Sequence, residues 1–588
     1  RRVLFRSYPS ETFPIAVNTI SGSSATNTVT IKPNTGVTAT ISGSVSGPIF
    51  KINGASYVAL NGSNTESGTS KNLTISNLGT TTPNVVLIGS NGSTPATNIS
   101  ITNCTLINGV QTSSALVVSD GGTVGNAGIF SNITIQNNSI QKAYFGVYIN
   151  GGTTPQNGTN ISVKQNDLTA SGANALRYTG IYMQGINGAD VQMNDIGNFE
   201  QTTSEDDRGI WIASGSINVT VQKNKIHDLI YTGTGGYGGH GIDVASATLS
   251  ANDLVVNNFI YNIRGDGYTT SVLSDNPTGI YMTGAQSGVG LYYNSIYLNG
   301  NTINYGTGAA SYGISLGAST VASIKNNIIV NNLGLLGSTG LGAVGVYAVR
   351  DTQFSSLDYN DYFINPTGSG SKIIGEVNAV TSYTTLSAWR TATGKESHGI
   401  NVNPNFISTT DLHIQTSSAS VESRGTPISG ITTDYDDETR ASLWPDIGAD
   451  EYTGPSPAAF TLTAPANNAI NQGITGTLSW AAANGAVAYD VYLDQDNSPS
   501  TLVSANQTGT SYNYSGLTKG FNYFWRIVAK NNTGTIEATV SPFKFSTYTT
   551  PQSFALIYPP HNATAIPNGG NLRWNVSKDI LDRKSTRL

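Results

Sequence analysis

Apolar and polar residues alternate along this chain in short runs, and one such run keeps returning with asparagines at both sides. It reads NISITNCTL from Asn98, NITIQNNSI from Asn132, NISVKQNDL from Asn160, NVTVQKNKI from Asn218, NDLVVNNFI from Asn252 and VASIKNNII from Val321, with looser copies from Asn72, Asp190 and Gly290. Strict alternation predicts half-buried strands, because successive side chains of a pleated strand point to opposite faces. In the copy at Asn98, Ile99 and Ile101 are predicted to face inward and Ser100 and Thr102 outward. A second run, glycine followed by an apolar triplet often centred on Tyr, interleaves with the first at Gly146, Gly180, Gly209, Gly241, Gly279, Gly313 and Gly345. Each repeat therefore carries at least two strands.

The closing apolar residues Ile140, Leu168, Ile196, Ile226, Ile260, Ile296 and Ile328 recur every 28 to 36 residues, a spacing that signals a solenoid. One coil cannot bury its apolar face, whereas stacked coils lend each other backbone partners and a continuous core. Asparagine suits the corners: it tolerates left-handed backbone, and its amide can both donate to and accept from the equivalent residue one coil away. The prediction is an all-β parallel β-helix of roughly a dozen coils, already under way near Val29 and running to about residue 365. At ~4.8 Å per coil it forms a rod on the order of 60 Å long.

Charged residues make up 11% of the chain, against about 25% in ordinary globular domains. Hydroxyls and amides supply the polarity, and the regular placement of Ile, Val and Tyr argues against disorder. Cys104 is the single cysteine, so no intrachain disulfide forms, and its place in a rung predicts an inert buried thiol. The acidic balance argues against nucleic acid as partner. No apolar run is long enough to span a membrane as a helix.

Both ends read as foreign. A single nucleotide string encodes Arg1 to Ser7, and its reverse complement encodes Asp582 to Leu588. The string resembles a sequencing-library adapter, so residues 1–7 and 582–588 are expected to be artefact and the natural segment a fragment truncated at both ends. Removing those tails takes away six positive charges and one negative, which moves the net charge from −6 to −11.

Beyond Asp358 the repeat loosens. The stretch TDYDDETRASLWPDIGADEY from Thr433 to Tyr452 holds Asp434, Asp436, Asp437, Arg440, Asp446, Ile447, Gly448, Ala449, Asp450, Glu451 and Tyr452. It resembles the closing segment of bacterial right-handed parallel β-helix proteins of the pectate-lyase-like superfamily, and a polar cap over the open end of the solenoid is expected there. After a GPSP linker come seven expected short strands with Trp480, Tyr489, Tyr523 and Trp525. They resemble a fibronectin type III sandwich with its core tryptophan and tyrosine corner. The expected layout is a β-helix over 8–365, its last coils and cap over 366–453, a linker at 454–458, a fibronectin type III domain over 459–548 and a truncated second one over 549–581. Together the resemblances imply a bacterial exported protein, secreted or displayed on the outer surface through a sorting tail.

Candidate chemistry gathers between Asn198 and Ser311, where the coils lengthen and the charges concentrate. Asp206 and Asp207 precede one strand, His240 in a GHG triplet precedes the next, and Arg264 follows. The order is similar to that of polygalacturonases, although Arg264 is followed by Gly265 and Asp266 where that family has Arg-x-Lys. The resemblance implies one aspartate as general acid, a second activating water, and an arginine binding a uronate carboxylate. The catalytic candidates are thus Asp206, Asp207, His240 and Arg264. A lyase reading assigns Asp206, Asp207 and Asp243 to calcium with Arg208 or Arg264 nearby. Tyr182, Trp211 and Tyr281 recur at one place in successive coils and, with Arg208 and Asp243, are the candidates for holding substrate. Asp434, Asp436 and Asp437 have the spacing of a turn that could hold Ca²⁺. The sequence thus predicts a monomeric carbohydrate-binding or scaffolding protein at a polysaccharide surface, with a polysaccharide lyase or hydrolase as the competing class.

Overall fold

The computed structural model describes residues 2–3, 11–154, 156–268, 272–303, 309–336, 342–368, 370–378, 381–549, 555–565, 568–569 and 571–574. The chain forms two compact units, residues 1–452 and 453–588. Most of the two proposed adapter tails lies outside the described residues; Arg2–Val3 forms a short strand paired with Thr30 and Ile31.

The first unit is a parallel solenoid built from three sheets of 12, 11 and 13 strands. The first sheet contains Ala96–Thr102, Phe130–Gln136 and Gly158–Lys164; the second contains Cys104–Ile107, Ser139–Gln141 and Lys225–Tyr231. The third contains Phe145–Asn150, Thr179–Gln184, Arg208–Ile212 and His240–Val244. Each asparagine phrase therefore makes two strands separated by a corner, and the glycine phrase makes the third. Ile101, Ile135, Val163, Val191 and Val221 stand in register in one internal file, all of them buried. Ile99 and Ile101 face the core, and Ser100 and Thr102 are half-buried on the other face.

One rung is displaced from the sequence reading. Ile296 pairs with Ile329, and Ile328 sits opposite Ser295 on the outer face. The inward residue stands two positions past the ladder asparagine, and a period of two places Ile329 there after Asn327.

The two asparagines at each corner divide the work expected of one. The first residue of the pair takes the left-handed conformation, as at Asn103, Asn137, Asn257 and Asn326. Because the place demands left-handed backbone and leaves the side chain pointing away from the ladder, Gln165, Met193, Lys223, Tyr293 and Tyr359 also fill it. The second residue is the ladder. From Asn138 through Asn166, Asn194, Asn224, Asn258, Asn294 and Asn327 to Asn360, each side-chain amide donates to the next amide oxygen at 2.9–3.0 Å. The same oxygen also accepts the preceding backbone N–H, as Asn224 Oδ1 does from Asn194. Cys104 occupies the rung before Asn138, where burial pushes its thiol up to about 12 and leaves it inert.

Two separate devices close the solenoid. Over its open end lies the helix Leu386–Thr393, capped by the Thr385 hydroxyl and stopped by left-handed Gly394. It buries Trp389 completely against Gly375, where a Cβ would come within 2.5 Å of the indole. Glu396 then ends the ladder, accepting from Asn360 Nδ2 at 2.7 Å and the Tyr362 hydroxyl at 2.5 Å.

The Asp-rich segment, expected over the end, instead runs back along the outside of the second sheet. Thr426 meets Tyr293 and Asn326, Thr433 meets Asn257, and Asp437 pairs with Lys223. Arg440 lies over the Tyr293 ring at 3.9 Å and donates to Asn257 and the Gly448 carbonyl. Gly448 approaches so closely, at φ +100, that a Cβ would meet Ile328 at 2.4 Å. The cause is the outward apolar face of that sheet, Phe259, Tyr261, Ile328 and Val330, which Leu412, Ile414, Val421, Ile447 and Ala449 cover.

In the second unit a three-stranded and a six-stranded sheet enclose one core containing Leu478, Trp480, Tyr489, Trp525 and Ile527. Nine strands form here where seven were expected. The Tyr523 hydroxyl accepts the Thr518 N–H at 2.8 Å, pinning the loop before its own strand. Leu556–Tyr558 and Arg573–Trp574 form a further antiparallel pair.

Replacing a ladder residue should cost far more than replacing an exposed one. Asn224→Ala orphans the Asn194 amide and several buried backbone groups, and is expected to lower stability by about 3 kcal/mol in urea unfolding, against under ~0.5 kcal/mol for Thr94→Ala at an exposed position. Burial pushes the Glu396 carboxyl up to about 7, above its unfolded value, so the folded state holds the proton more tightly. Its contribution is present below the unfolded value and is lost as pH rises through 7. Glu396→Gln keeps the acceptor, and should raise the unfolding midpoint at pH 8 while leaving it unchanged at pH 4.

Candidate functional site

The lengthened segments 202–207, 232–239 and 265–277, of which 269–271 lie outside the described residues, each follow a strand of the second sheet and precede one of the third. The third sheet then presents two outward rows. One runs through Phe145, Thr179, Arg208, His240 and Thr278, and the other through Tyr148, Tyr182, Trp211, Asp243 and Tyr281. The repeat thus places an arginine, a histidine and an aspartate from two adjacent coils next to one another.

Arg208 is the hub. Its Nε donates to Asp243 Oδ2 at 2.8 Å, and its Nη1 to the Tyr178 hydroxyl at 2.7 Å and the Asp206 carbonyl at 2.8 Å. The guanidinium carbon lies 4.4 Å from the Trp211 ring centre. His240 Nδ1 stands 3.4 Å from Asp243 Oδ2, too far for a strong hydrogen bond but close enough to feel its charge. Neither ring nitrogen of His240 has a hydrogen-bond partner among the described residues, and Tyr281 tilts against the ring at 4.7 Å. Asp207, His240 and Asp243 are 1%, 0% and 2% exposed.

The electrostatics separate the two aspartates. Burial alone would push the Asp243 carboxyl up, but His240 and Arg208 outweigh it and hold it below the usual range. Burial of Arg208 opposes its charge, and Asp243 with Tyr178 and Asp206 more than restores it. Asp206 accepts the Gly238 N–H at 3.2 Å, and burial pushes it up to about 6 against the pull of His240 and Arg208.

Arg264 stands apart from this group. It ends a strand of the second sheet in register with Ile230, packs against Gly300 and acts on Asp228. Asp266 turns back to accept the N–H groups of Gly236 and Tyr237. Tyr148 and Tyr182 stack on each other at 4.9 Å, and Trp211 meets Tyr182 edge-on at 5.0 Å. All three are half-buried; the Tyr148 hydroxyl donates to the Gly125 carbonyl and the Tyr182 hydroxyl to Gln184, while the Trp211 indole nitrogen is buried. Tyr281 is buried.

Two groupings escaped the sequence reading. On the second sheet, His227 bridges Asp195 at 2.9 Å and Asp228 at 2.6 Å and stacks on Tyr261. Burial disfavours its charge, yet the two carboxylates raise its pKa. In the folded-back segment, His413, Asp436 and Asp450 hold possible ligand atoms within 4.8 Å of one another. The spacing DLHI gave no sign that His413 would meet residues more than twenty positions away.

The three aspartates proposed for calcium do not converge. Both Asp434 oxygens accept backbone N–H groups, from Asp436, Glu438 and Glu451. Asp436 engages His413 at 2.7 Å, and Asp437 engages Lys223. A calcium site needs several oxygens aimed at one point, so this donor set does not fit the ion.

No family model matches the chain, and no curated protein matches it. Among solved structures it is similar to an Fn3-like protein from Clostridium thermocellum, at 22% identity over 16% of this chain and 95% of that one, with a TM-score of 0.13. It is also similar to the enzymatically active domain of tailspike protein 2 of bacteriophage CBA120, at 12% identity over 86% of this chain and 66% of that one, with a TM-score of 0.31.

The ion pair makes a direct prediction. Asp243→Asn leaves a buried guanidinium without its counter-charge, and is expected to cost about 3 kcal/mol in urea unfolding. Losing both charges in Arg208→Met with Asp243→Asn should cost less than the aspartate change alone.

Proposed function

We propose that this protein binds a glycan along the outward face of the third sheet and serves as a scaffold at a polysaccharide-rich surface. The observation that carries this reading is the burial of the charged cluster. Asp207, His240 and Asp243 lie beneath the surface and Asp243 is clamped by Arg208, so a polymer laid on the coils meets the half-buried rings of Tyr148, Tyr178, Tyr182 and Trp211 instead. Half-buried aromatic residues with polar tips suit a ligand that is apolar on its ring faces and hydroxylated at its edges.

The finer assignments belong to the same reading. Membership of the pectate-lyase-like superfamily rests on the DIGA segment and its docking by Arg440, and the fibronectin type III assignment on Trp480, Trp525 and the Tyr523 corner. Export to the cell surface rests on those two together. No helix among the described residues is long and apolar enough to cross a membrane.

A hydrolase is the second reading, favoured by one observation: Asp206 is pushed up to about 6 while Asp243 is held low, the kind of separation that assigns acid and base roles. Affinity electrophoresis of the full chain in gels containing polygalacturonate, alginate or a neutral glucan separates the two. Retardation weakened at least fivefold by Tyr182→Ala, with no new reducing ends or unsaturated products, is the expected result. Product release abolished by Asp206→Asn would establish the hydrolase, and no retardation on any polymer would remove the binding reading.

A further inference from the structure

A second feature lies on a different sheet and owes nothing to the charged cluster. Where the folded-back segment crosses the outside of the second sheet it leaves a cavity of about 290 Å³, at the small end of the range for ligand pockets. Tyr297 and Phe363 stand in one outward file of the sheet, with Val330 between them. Phe406 comes from the folded-back segment and tilts over Tyr297 at 5.9 Å. The remaining lining is made of amides and hydroxyls, with no charged side chain.

The amides are partly committed, and what they leave over is informative. Asn403 Oδ1 accepts the Asn405 N–H at 3.0 Å, which frees its NH₂ group. Asn405 Nδ2 donates to Ser418 at 3.1 Å, which leaves its oxygen as an acceptor. The cavity therefore offers a donor from Asn403 and an acceptor from Asn405.

We propose that this cavity binds a single neutral sugar residue, such as a terminal or branch hexose. Hydroxyls are donor and acceptor at once and match leftover amide groups of both kinds. The C–H face of a pyranose matches aromatic rings. A uronate finds no cation here to pair with its carboxylate, and the small volume excludes a run of polymer. The walls come from residues far apart in sequence, held together by Arg440, Gly448 and the apolar cover around them, so the cavity exists before any ligand enters.

Saturation-transfer NMR and titration calorimetry on the full chain test this with methyl glucoside, methyl galactoside, methyl mannoside and galacturonate as probes. At least one neutral glycoside should bind, and at least tenfold more tightly than galacturonate. Thr409→Trp, a change at the exposed rim that fills the mouth, and Asn403→Ala should each weaken binding at least tenfold with the circular dichroism spectrum unchanged. Trp211→Ala on the third sheet should leave it unaltered, which keeps this site distinct from the glycan face proposed above. No signal from any neutral glycoside, equal binding of galacturonate, or undiminished binding by folded Thr409→Trp would overturn the proposal.

Discussion

Stacked coils of this protein are held in register by a file of buried side-chain amides that bond to one another and to the backbone of the coils on either side. A β coil has one vulnerable point, the corner, where the strands stop and the peptide groups lose their sheet partners. The ladder from Asn138 to Asn360 satisfies those groups with the one side chain that can donate and accept at the same spot in every rung. Because each amide oxygen takes both the next amide and a backbone N–H, a rung cannot shift alone. Between Asn138 and Asn360 the register of the coils is tied to that file.

Fixed register has consequences on the outer surface. Side chains at one position of the repeat are carried to one line on the sheet, so the aromatic residues and the ionic group of the third sheet become neighbours although about thirty residues separate them in sequence. Placing charge on such a surface is costly unless it is paired. Arg208 and Asp243 accordingly pair with one another, the guanidinium lying against the Trp211 ring. The same logic explains why the second sheet, which carries outward Phe259, Tyr261, Ile328 and Val330, required a cover.

That cover reconciles the composition of the Asp-rich segment with its position. Its aspartates organise turns by accepting backbone N–H groups: Asp434 takes three, and Asp446 takes those of Ser423 and Tyr452. Carboxylates used in this way are structural. The end of the solenoid is sealed by an indole and by a glutamate that takes the place of the next asparagine, a solution drawn from different chemistry than the polar turn expected there.

Much of the solenoid was legible in the chain itself. Alternation fixed which residues face inward, the repeat fixed the stacking, and both are local or periodic properties that a line of residues displays directly. The chain could not display that Asn137 and Asn138 divide turn and ladder between them, since the two residues are identical in type and differ only in backbone conformation. Nor could it display the contacts of Arg208 with Asp243, of His413 with Asp436 or of Phe406 with Tyr297. Those depend on how far one coil is carried over the next and where a non-repeating segment returns. Only three-dimensional packing decides that, because distance along the chain carries no information about it.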